Sequence, residues 1–288
     1  MSDSPIGLIG VGLLGTALAE RILAARLPVI GFDLQSSQVE RLGGLGGKVA
    51  STAGDVAAAC NCIVLCLPDS SIVAEVVNQL GDGLRTGTLL IDATTGDPDQ
   101  TAAIAQRLAL GGIGYIDATI AGSSQQVRQG EATVIIGGSD DDVRRAEPVL
   151  TSWGERRFHV GPPGSGAQLK LVVNLVLGLN RAVLAEGLAL ATACGIEAAA
   201  ALSVLKATPA YSTVMETKGP KMVARDYAPQ ARLAQHLKDV RLICELARRH
   251  HARTPLSGVH ECLLQTAIEL GYAEADNSAV IEALRPND

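Results

Sequence analysis

The first half of the chain alternates short apolar runs with longer stretches of helical periodicity. The apolar runs are 6–9, 29–32, 48–50, 62–67, 88–91, 115–118 and 132–136. Strands that alternate with helices are typical of a parallel, doubly wound sheet, and these runs have the length of buried strands. We expect the segment of small residues from 119 to 130 to be a loop that leads into the last strand.

From residue 167 onward the strand pattern does not recur. Helical periodicity continues in five stretches, at about 167–193, 197–206, 211–224, 230–249 and 256–270. We therefore expect an all-helical second domain. The junction falls in the Pro/Gly segment 161–164, which divides the chain into residues 1–162, an α/β domain with a mainly parallel sheet, and residues 163–288.

The first helix of the second domain is apolar around nearly its whole circumference, which predicts that it is buried. Two polar residues interrupt it, Lys170 and Asn174, and a separation of four places them on one face. A buried lysine is costly unless it is paired or used, and burial lowers its pKa. The alternative is a lysine in the first turn that extends its ammonium group to water. The spacing alone does not decide between them.

A glycine motif joins the first strand to the first helix of the chain. It consists of Gly10, Val11, Gly12, Leu13, Leu14 and Gly15. In a dinucleotide site the first glycine makes the turn, the second lets the backbone approach the pyrophosphate, and the third lets helix and strand pack closely. Although a glycine-rich turn without a ligand would have the same letters, the motif here follows a strand and opens a helix. We therefore predict a Rossmann-type dinucleotide-binding domain.

An acidic residue ends the second strand at the distance that such a site requires. Asp33 lies 23 residues after Gly10 and would bind the adenosine ribose hydroxyls while repelling a 2′-phosphate. Leu34 and Gln35 follow it, so no arginine is placed there to accept that phosphate. The predicted cofactor is NAD rather than NADP.

Composition excludes several other classes of protein. The net charge is −6 and only 2% of the residues are aromatic, which argues against nucleic-acid binding. The six cysteines form no CxxC pair and no histidine lies at ligand spacing from them, so we expect small buried hydrophobes and no metal. No run appears long and apolar enough to span a membrane. Asp3 precedes the first apolar stretch without a lysine or arginine, which is unlike an export signal and favours the cytosol.

Four stretches, taken in this order and spacing, resemble the β-hydroxyacid dehydrogenase family. They are GLIGVGLLG at 7–15, DATTGDP at 92–98, DATIAGSSQQVRQG at 117–130 and GSGAQLKLVVN at 164–174. The resemblance covers nearly the whole chain. The family includes 3-hydroxyisobutyrate dehydrogenase, tartronate semialdehyde reductase and glyoxylate/succinic semialdehyde reductases.

The resemblance implies roles for particular residues. Lys170 and Asn174 correspond to the catalytic pair, with the lysine as general acid and base. The implied cofactor residues are those of the glycine motif together with Asp33, Leu34, Leu67, Pro68, Thr95 and Lys238. The implied substrate residues are Thr94, Ala121, Gly122 and Ser123, with the backbone amides of the last two holding a carboxylate.

The substrate loop departs from the family pattern. Thr119, Ala121 and Ser123 stand where the family has proline, serine and a second glycine, which leaves the substrate open. We weigh three hypotheses: an NAD-dependent dehydrogenase or reductase of a small β-hydroxy acid, an imine reductase, and a non-catalytic NAD-binding sensor. Lys170 counts against the imine reductases, which usually lack it. The apolar helix around it suggests a homodimer or homotetramer, and we expect a small carboxylate substrate and neither nucleic acid nor membrane as partner.

Overall fold

The computed structural model describes residues 4–285, as two compact units. The first unit is an α/β fold that ends at Lys170, and the second is helical and begins at Leu171. This confirms the predicted fold class, with a strand-rich first half and a helical second half.

The α/β unit contains an eight-stranded sheet. Its strands are β1 Ile6–Ile9, β2 Val29–Phe32, β3 Lys48–Val49, β4 Cys62–Leu65, β5 Leu89–Asp92, β6 Gly114–Ala121, β7 Thr133–Gly137 and β8 Arg156–Gly161. They are arranged in the order β3-β2-β1-β4-β5-β6-β7-β8, and every neighbouring pair is parallel except β6 with β7. The direction in which strands are added reverses between β1 and β4. Ligands of such sheets bind beyond the carboxyl ends of the strands at this point.

Helices cover both faces of this sheet. They are α1 Leu13–Ala24, α2 Ser36–Gly44, α3 Ala53–Ala59, α4 Ser70–Leu80, α5 Pro98–Leu110, α6 Ser124–Gln129 and α7 Asp140–Trp153. Successive residues of a strand point to opposite faces, so Leu8 and Ile9 enter two separate apolar clusters. Both clusters are built almost wholly from aliphatic side chains.

The segment 119–130, which we expected to be a loop, is mostly regular structure. Strand β6 continues to Ala121, because its last residues pair with β7 in antiparallel register, and α6 follows two residues later. Ser123 and Gln126 form a capping box at the start of α6, and Gly130 ends it in the left-handed conformation with φ 74°. The sequence prediction missed this helix because the Ser-x-x-Gln signal was not used.

The helical unit is built around one long helix. Its helices are α8 Ser165–Ala193, α9 Ala198–Lys206, α10 Val214–Thr217, α11 Gly219–Ala224, α12 Leu233–Arg249 and α13 Pro255–Glu269, followed by a 3₁₀ segment at Asn277–Leu284. The predicted helix at 211–224 is divided at Lys218, because Pro220 has no amide hydrogen and occupies the first turn of α11. The 3₁₀ segment was not predicted.

Helix α8 differs from the expectation that no run is long and apolar enough to span a membrane. By length and composition alone, α8 is long and apolar enough, with a mean hydropathy of 1.5 over its most apolar window. It carries three polar side chains that are each less than a tenth exposed, Lys170, Asn174 and Arg181. Leu184 and Leu188, further along, lie in the apolar core of the helical unit. These buried side chains lie on one face of α8, as in the core helix of a folded domain. The opposite face, with Val172, Val176, Val183 and Leu190, is exposed, so the prediction that the whole circumference is buried is wrong.

The cysteines also differ in part from expectation. Cys60 is buried, as a small hydrophobe should be, but Cys194 and Cys262 are exposed. All six are free thiols. Burial raises the pKa of the Cys60 thiol to about 11, so this group is un-ionised at neutral pH.

Two histidines pack against α8 inside the helical unit. The rings of His236 and His260 lie 5.2 Å apart, and a Cβ on Gly178 would come within 2.7 Å of both. Only glycine therefore fits at this point of the helix. Burial, reinforced by the positive charge of Arg181, lowers the pKa of His260 to about 4. The imidazole is consequently neutral in the folded protein.

This burial predicts a loss of stability in mild acid. The unfolded imidazole takes up a proton near its ordinary pKa of 6.5, whereas the folded one does so only near 4, so stability falls as pH drops through that interval. The full difference corresponds to about 3 kcal/mol. We expect His260→Gln to flatten the dependence of the thermal midpoint on pH between these values, measured by calorimetry. The same change at the exposed His250 should leave the parental slope, and an unchanged slope in His260→Gln would contradict the assignment.

Candidate functional site

The glycine motif lies at the carboxyl end of β1, where the direction of strand addition reverses. Gly10 has φ 94°, and a Cβ there would come within 2.2 Å of the carbonyl oxygen of Cys66. A Cβ on Gly15 would come within 2.1 Å of the carbonyl oxygen of Gly10. Gly12, in contrast, faces open space, with no atom within 4 Å of an added Cβ. The first and third glycines are thus required by packing, and the second leaves the approach that a dinucleotide pyrophosphate needs.

Asp33 is tied directly to this loop. One carboxylate oxygen accepts a hydrogen bond from the amide of Val11 at 2.7 Å, and the other accepts one from the amide of Gln35 at 2.9 Å. Each oxygen retains a lone pair for a ribose hydroxyl. The side chain of the following residue, Leu34, is 93% exposed. The residues present therefore fit a dinucleotide, with the glycine loop and Asp33 fixed to each other.

The ends of β4 and β5 are held together by a buried network. The amide of Leu67 donates to the hydroxyl of Thr94 at 3.0 Å, and the amide of Thr94 donates to Asp92 at 2.9 Å. The second oxygen of Asp92 accepts from the hydroxyl of Tyr115 at 2.5 Å. Burial raises the pKa of the Asp92 carboxyl, although these hydrogen bonds oppose the rise. Pro68 and Thr95 follow the two anchored residues directly.

Asp92 and Tyr115 were not among the predicted site residues. Asp92 and Tyr115 position Leu67 and Thr94. Asp92 could have been identified from the sequence, because it is an acid at the end of a buried strand. The structure thus brings the glycine motif, Asp33, the 67–68 pair and the 94–95 pair to the ends of neighbouring strands. Except for Thr94, which was predicted to bind the substrate, these are predicted cofactor positions of the α/β unit.

The predicted substrate loop continues from the end of β6. Gly122 is exposed with φ 156°, and Ala121 and Ser123 on either side of it are half-buried. The amide of Ser123 donates to the side-chain oxygen of Gln126 at 2.8 Å. In return, the hydroxyl of Ser123 accepts from the amide of Gln126 at 3.2 Å. One of the two amides expected to hold a carboxylate therefore has an acceptor from within the chain.

The beginning of α8 is anchored to the same strand, through Asp117. Its carboxylate accepts from the amide of Gly164 at 2.7 Å and from the amide of Ala167 at 2.6 Å. Burial raises the pKa of Asp117 to about 6, and the two amide hydrogen bonds oppose that rise. The hydroxyl of Thr119 adds a bond to the carbonyl of Gly166 at 3.3 Å. Strand β6 therefore fixes the turn of α8 that precedes Lys170, and sequence patterns gave no sign of this contact.

Asn174 and Lys238 belong to the helical unit, where they share one partner. The side-chain amide of Asn174 donates to Asp239 at 2.9 Å, and the ammonium group of Lys238 lies 3.2 Å from the other carboxylate oxygen. Lys170 and Asn174 are each less than a tenth exposed and lie four residues apart on the continuous helix α8. Asp239 was missed as a site residue, although it directly follows Lys238.

Two family profiles match the chain. The profile described as the NAD binding domain of 6-phosphogluconate dehydrogenase matches residues 5–161. The profile described as the NAD-binding of NADP-dependent 3-hydroxyisobutyrate dehydrogenase matches residues 164–284. Together they account for nearly all the residues that the structure describes.

Individual proteins agree with these profiles. The chain is 31% identical to 2-(hydroxymethyl)glutarate dehydrogenase of Eubacterium barkeri, across 96% of this chain and 93% of the relative. It is 29% identical to glyoxylate/succinic semialdehyde reductase 2 of Arabidopsis thaliana, across 97% and 79% of the two chains. The crystal structure of a 3-hydroxyisobutyrate dehydrogenase from Salmonella typhimurium matches with a TM-score of 0.90 at 26% identity, across 96% and 98%. The chain therefore belongs to the β-hydroxyacid dehydrogenase family and is a nicotinamide-dependent oxidoreductase of hydroxy acids.

Proposed function

We propose that the protein interconverts a small β-hydroxy acid and its carbonyl partner, with Lys170 as general acid and base and NAD as the preferred cofactor. The observation that carries this proposal is a lysine that is only 7% exposed, on a helix whose preceding turn is held by Asp117. Burying an ammonium group costs free energy unless the group is paired or used, and the family motif at this position favours its use in catalysis.

Lys170 would move the proton that accompanies hydride transfer. In oxidation its amine accepts the hydroxyl proton as the carbonyl forms, and in reduction its ammonium donates that proton to the developing alkoxide. The cofactor, when bound, supplies the hydride acceptor or donor. The substrate carbon thus loses or gains one hydride and its oxygen one proton, which balances the reaction.

Asn174 would place the substrate hydroxyl. Its NH₂ group donates to Asp239, so its carbonyl oxygen points to the opposite side of the amide. That oxygen is an acceptor for a substrate hydroxyl one helical turn beyond Lys170. Asp239, in this scheme, positions Asn174 and the ammonium group of Lys238 together.

Residues 121–123 would hold the substrate carboxylate, with Thr94 nearby at the end of the adjacent strand. The relatives support a small acid, since they include dehydrogenases of 2-(hydroxymethyl)glutarate, L-threonate and L-serine and a reductase of glyoxylate and succinic semialdehyde. We propose that residues 1–162 are the cofactor-binding domain and residues 163–288 the substrate and oligomerisation domain. The cytosol remains the predicted location.

Self-association is part of the proposal. Four side chains of α8 that are about half exposed or more recur at intervals of four, seven and seven residues, and so form an apolar stripe along one face; they are Val172, Val176, Val183 and Leu190. An exposed apolar stripe on a core helix favours burial by a second copy, as homodimer or homotetramer.

The role of Lys170 predicts a loss of turnover without a loss of cofactor binding. We expect Lys170→Ala to lower kcat by about 10²- to 10⁴-fold, the usual contribution of general acid–base catalysis. The assay is NADH absorbance with 2-(hydroxymethyl)glutarate, 3-hydroxyisobutyrate, L-threonate and L-serine in oxidation, and with glyoxylate and succinic semialdehyde in reduction.

The matched control replaces Lys206, which pairs with Glu216 at 2.5 Å, and should retain the parental kcat. Parental turnover in Lys170→Ala would show that the proton is moved by another group. If parent and variant both bind NAD and neither turns over any of the six compounds, the sensor hypothesis gains and the dehydrogenase proposal fails.

The role of Asp33 predicts a preference for NAD. We expect Asp33→Asn to reduce the ratio of kcat/KM for NAD to that for NADP by about 10- to 100-fold, the worth of one charge-assisted hydrogen bond plus relief of repulsion toward the 2′-phosphate. The ratio is its own control, because general damage to the glycine loop lowers both values. A parental protein that prefers NADP would contradict the assignment.

A further inference from the structure

Arg181 is a buried cation of the helical unit that the proposed reaction does not use. It lies on α8, seven residues beyond Asn174, and is only 6% exposed. Within residues 4–285, neither its Nε nor its terminal nitrogen Nη1 has a hydrogen-bond acceptor. Burial lowers the pKa of Arg181 to about 10, which is still far above neutral pH. The two nitrogens are therefore buried donors of a group that carries a positive charge.

The acid that acts on Arg181 cannot serve as its partner. Asp276 is the one carboxylate of the described residues whose charge acts on the guanidinium group. It already accepts six hydrogen bonds, from the Lys218 ammonium group, the amide and hydroxyl of Ser278 and the amides of Gln230 and Ala231. No lone pair of Asp276 is left for Arg181. Since Lys218 balances the charge of Asp276, the positive charge of Arg181 is uncompensated, and such a buried charge is costly unless it is paired.

His260 adds a second buried donor beside Arg181. Its Nε2 has no partner among the described residues, and the positive charge of Arg181 acts on its ring. The ring packs with that of His236 against Gly178, which lies one helical turn before Arg181 on α8. A neutral imidazole that carries its proton on Nε2 donates from that atom. Helices α8 and α13 thus bring a guanidinium group and an imidazole to one buried place.

We propose that Arg181 and His260 form a buried binding site for one small monovalent anion of halide size, in the core of the helical unit. One negative charge balances the two cations and one anion of Arg181, Lys218 and Asp276. A large anion does not fit, because the imidazoles are packed so closely that a Cβ on Gly178 would come within 2.7 Å of both rings. The site is separate from the proposed reaction and does not depend on it.

The alternative occupant is buried water. A water molecule accepts hydrogen bonds from Arg181 and His260, but it leaves the positive charge uncompensated. The two occupants differ in how stability depends on salt. An anion that binds the folded protein stabilises it by mass action, so stability rises with the concentration of that anion. Water gives no dependence on the identity of the anion.

The experiment compares the thermal midpoint in sodium chloride with that in sodium gluconate of the same ionic strength. Gluconate is too large for the buried site, so the comparison removes the general effect of screening. A pH near 8 keeps His260 neutral, since its pKa is about 4. We expect the midpoint of the parent to be about 2 to 6 °C higher in about 0.3 M chloride than in gluconate.

Arg181→Met removes the charge and the donors and keeps a long apolar side chain. The difference between chloride and gluconate should disappear in this variant, and its midpoint in gluconate should be at least that of the parent, because no charge is buried without a partner. Arg253→Met is the matched control, since it removes an exposed arginine and should keep the parental difference. An undiminished difference in Arg181→Met would overturn the proposal.

Bromide locates the ion in the parent protein, whatever the stability of the variants. Crystals of the parent grown in sodium bromide should show an anomalous diffraction peak beside the Nε and Nη1 of Arg181. Bromide peaks at other places only, or equal midpoints of the parent in chloride and gluconate, would overturn the site and favour water as the occupant. A peak at Arg181 without a chloride-dependent midpoint would mean binding at crystal concentration only, which also overturns it.

Discussion

The buried carboxylate of Asp117 is the contact on which the arrangement of the candidate site depends. It accepts two backbone hydrogen bonds from the start of α8, across 47 and 50 residues of sequence. Two glycines make room for it, since a Cβ on Gly137 or Gly166 would come within 2.5 or 2.7 Å of its oxygens. Burial raises its pKa to about 6, so the protein bears a cost in order to keep an acceptor here. That cost is offset because the first amides of a helix have no partner within the helix, and leaving them buried and unbonded would cost more.

Buried acids recur as the groups that hold the predicted site residues in place. Asp92 holds Thr94, and through it Leu67, while Asp239 holds Asn174. In the helical unit Asp276 is fully buried, and each of its carboxylate oxygens accepts a hydrogen bond from the Lys218 ammonium group at 2.9 Å. Burial alone would raise the pKa of Asp276, but Lys218 and Ser278 lower it to about 2. The two apolar clusters of the sheet are almost wholly aliphatic, and only 2% of the residues are aromatic. Aliphatic packing makes the domain compact but constrains the orientation of side chains less than aromatic contacts do. Hydrogen bonds to buried carboxylates fix the orientation of particular residues instead.

Local patterns were sufficient for most of the fold. The alternation of apolar runs and helical stretches predicted the doubly wound sheet, and the glycine motif with Asp33 predicted the side of the sheet on which a ligand would bind. The sequence also contains signals for the break of the helix at Pro220 and for the capping box of Ser123 and Gln126, but the prediction did not use them. Asp117, Asp92 and Asp239 belong to another category. Asp117 and Asp239 bond to partners 47 to 65 residues away, in a geometry that exists only once the strands and helices have packed, so no local periodicity or spacing indicates it. Asp92 bonds to a residue two positions away and ends a buried strand, so only its link to Leu67 through Thr94 depends on packing. The predicted catalytic and binding roles of Lys170, Asn174 and the substrate loop stay predictions.

The position of Asp117 on β6 also separates the anchorage of α8 from the predicted substrate loop. The strand holds the start of α8 through Asp117 and Thr119, and two residues after Thr119 it ends at Ala121, where the substrate loop begins. The start of α8 is therefore fixed by the middle of the strand, whereas the predicted substrate loop begins at its end. Ser123 and Gln126 bond to each other, within the loop and α6. They do not touch the hydrogen bonds that hold the turn before Lys170. Because the two anchorages are separate, the departures of this loop from the family pattern can change the loop without disturbing the hydrogen bonds that hold the turn before Lys170.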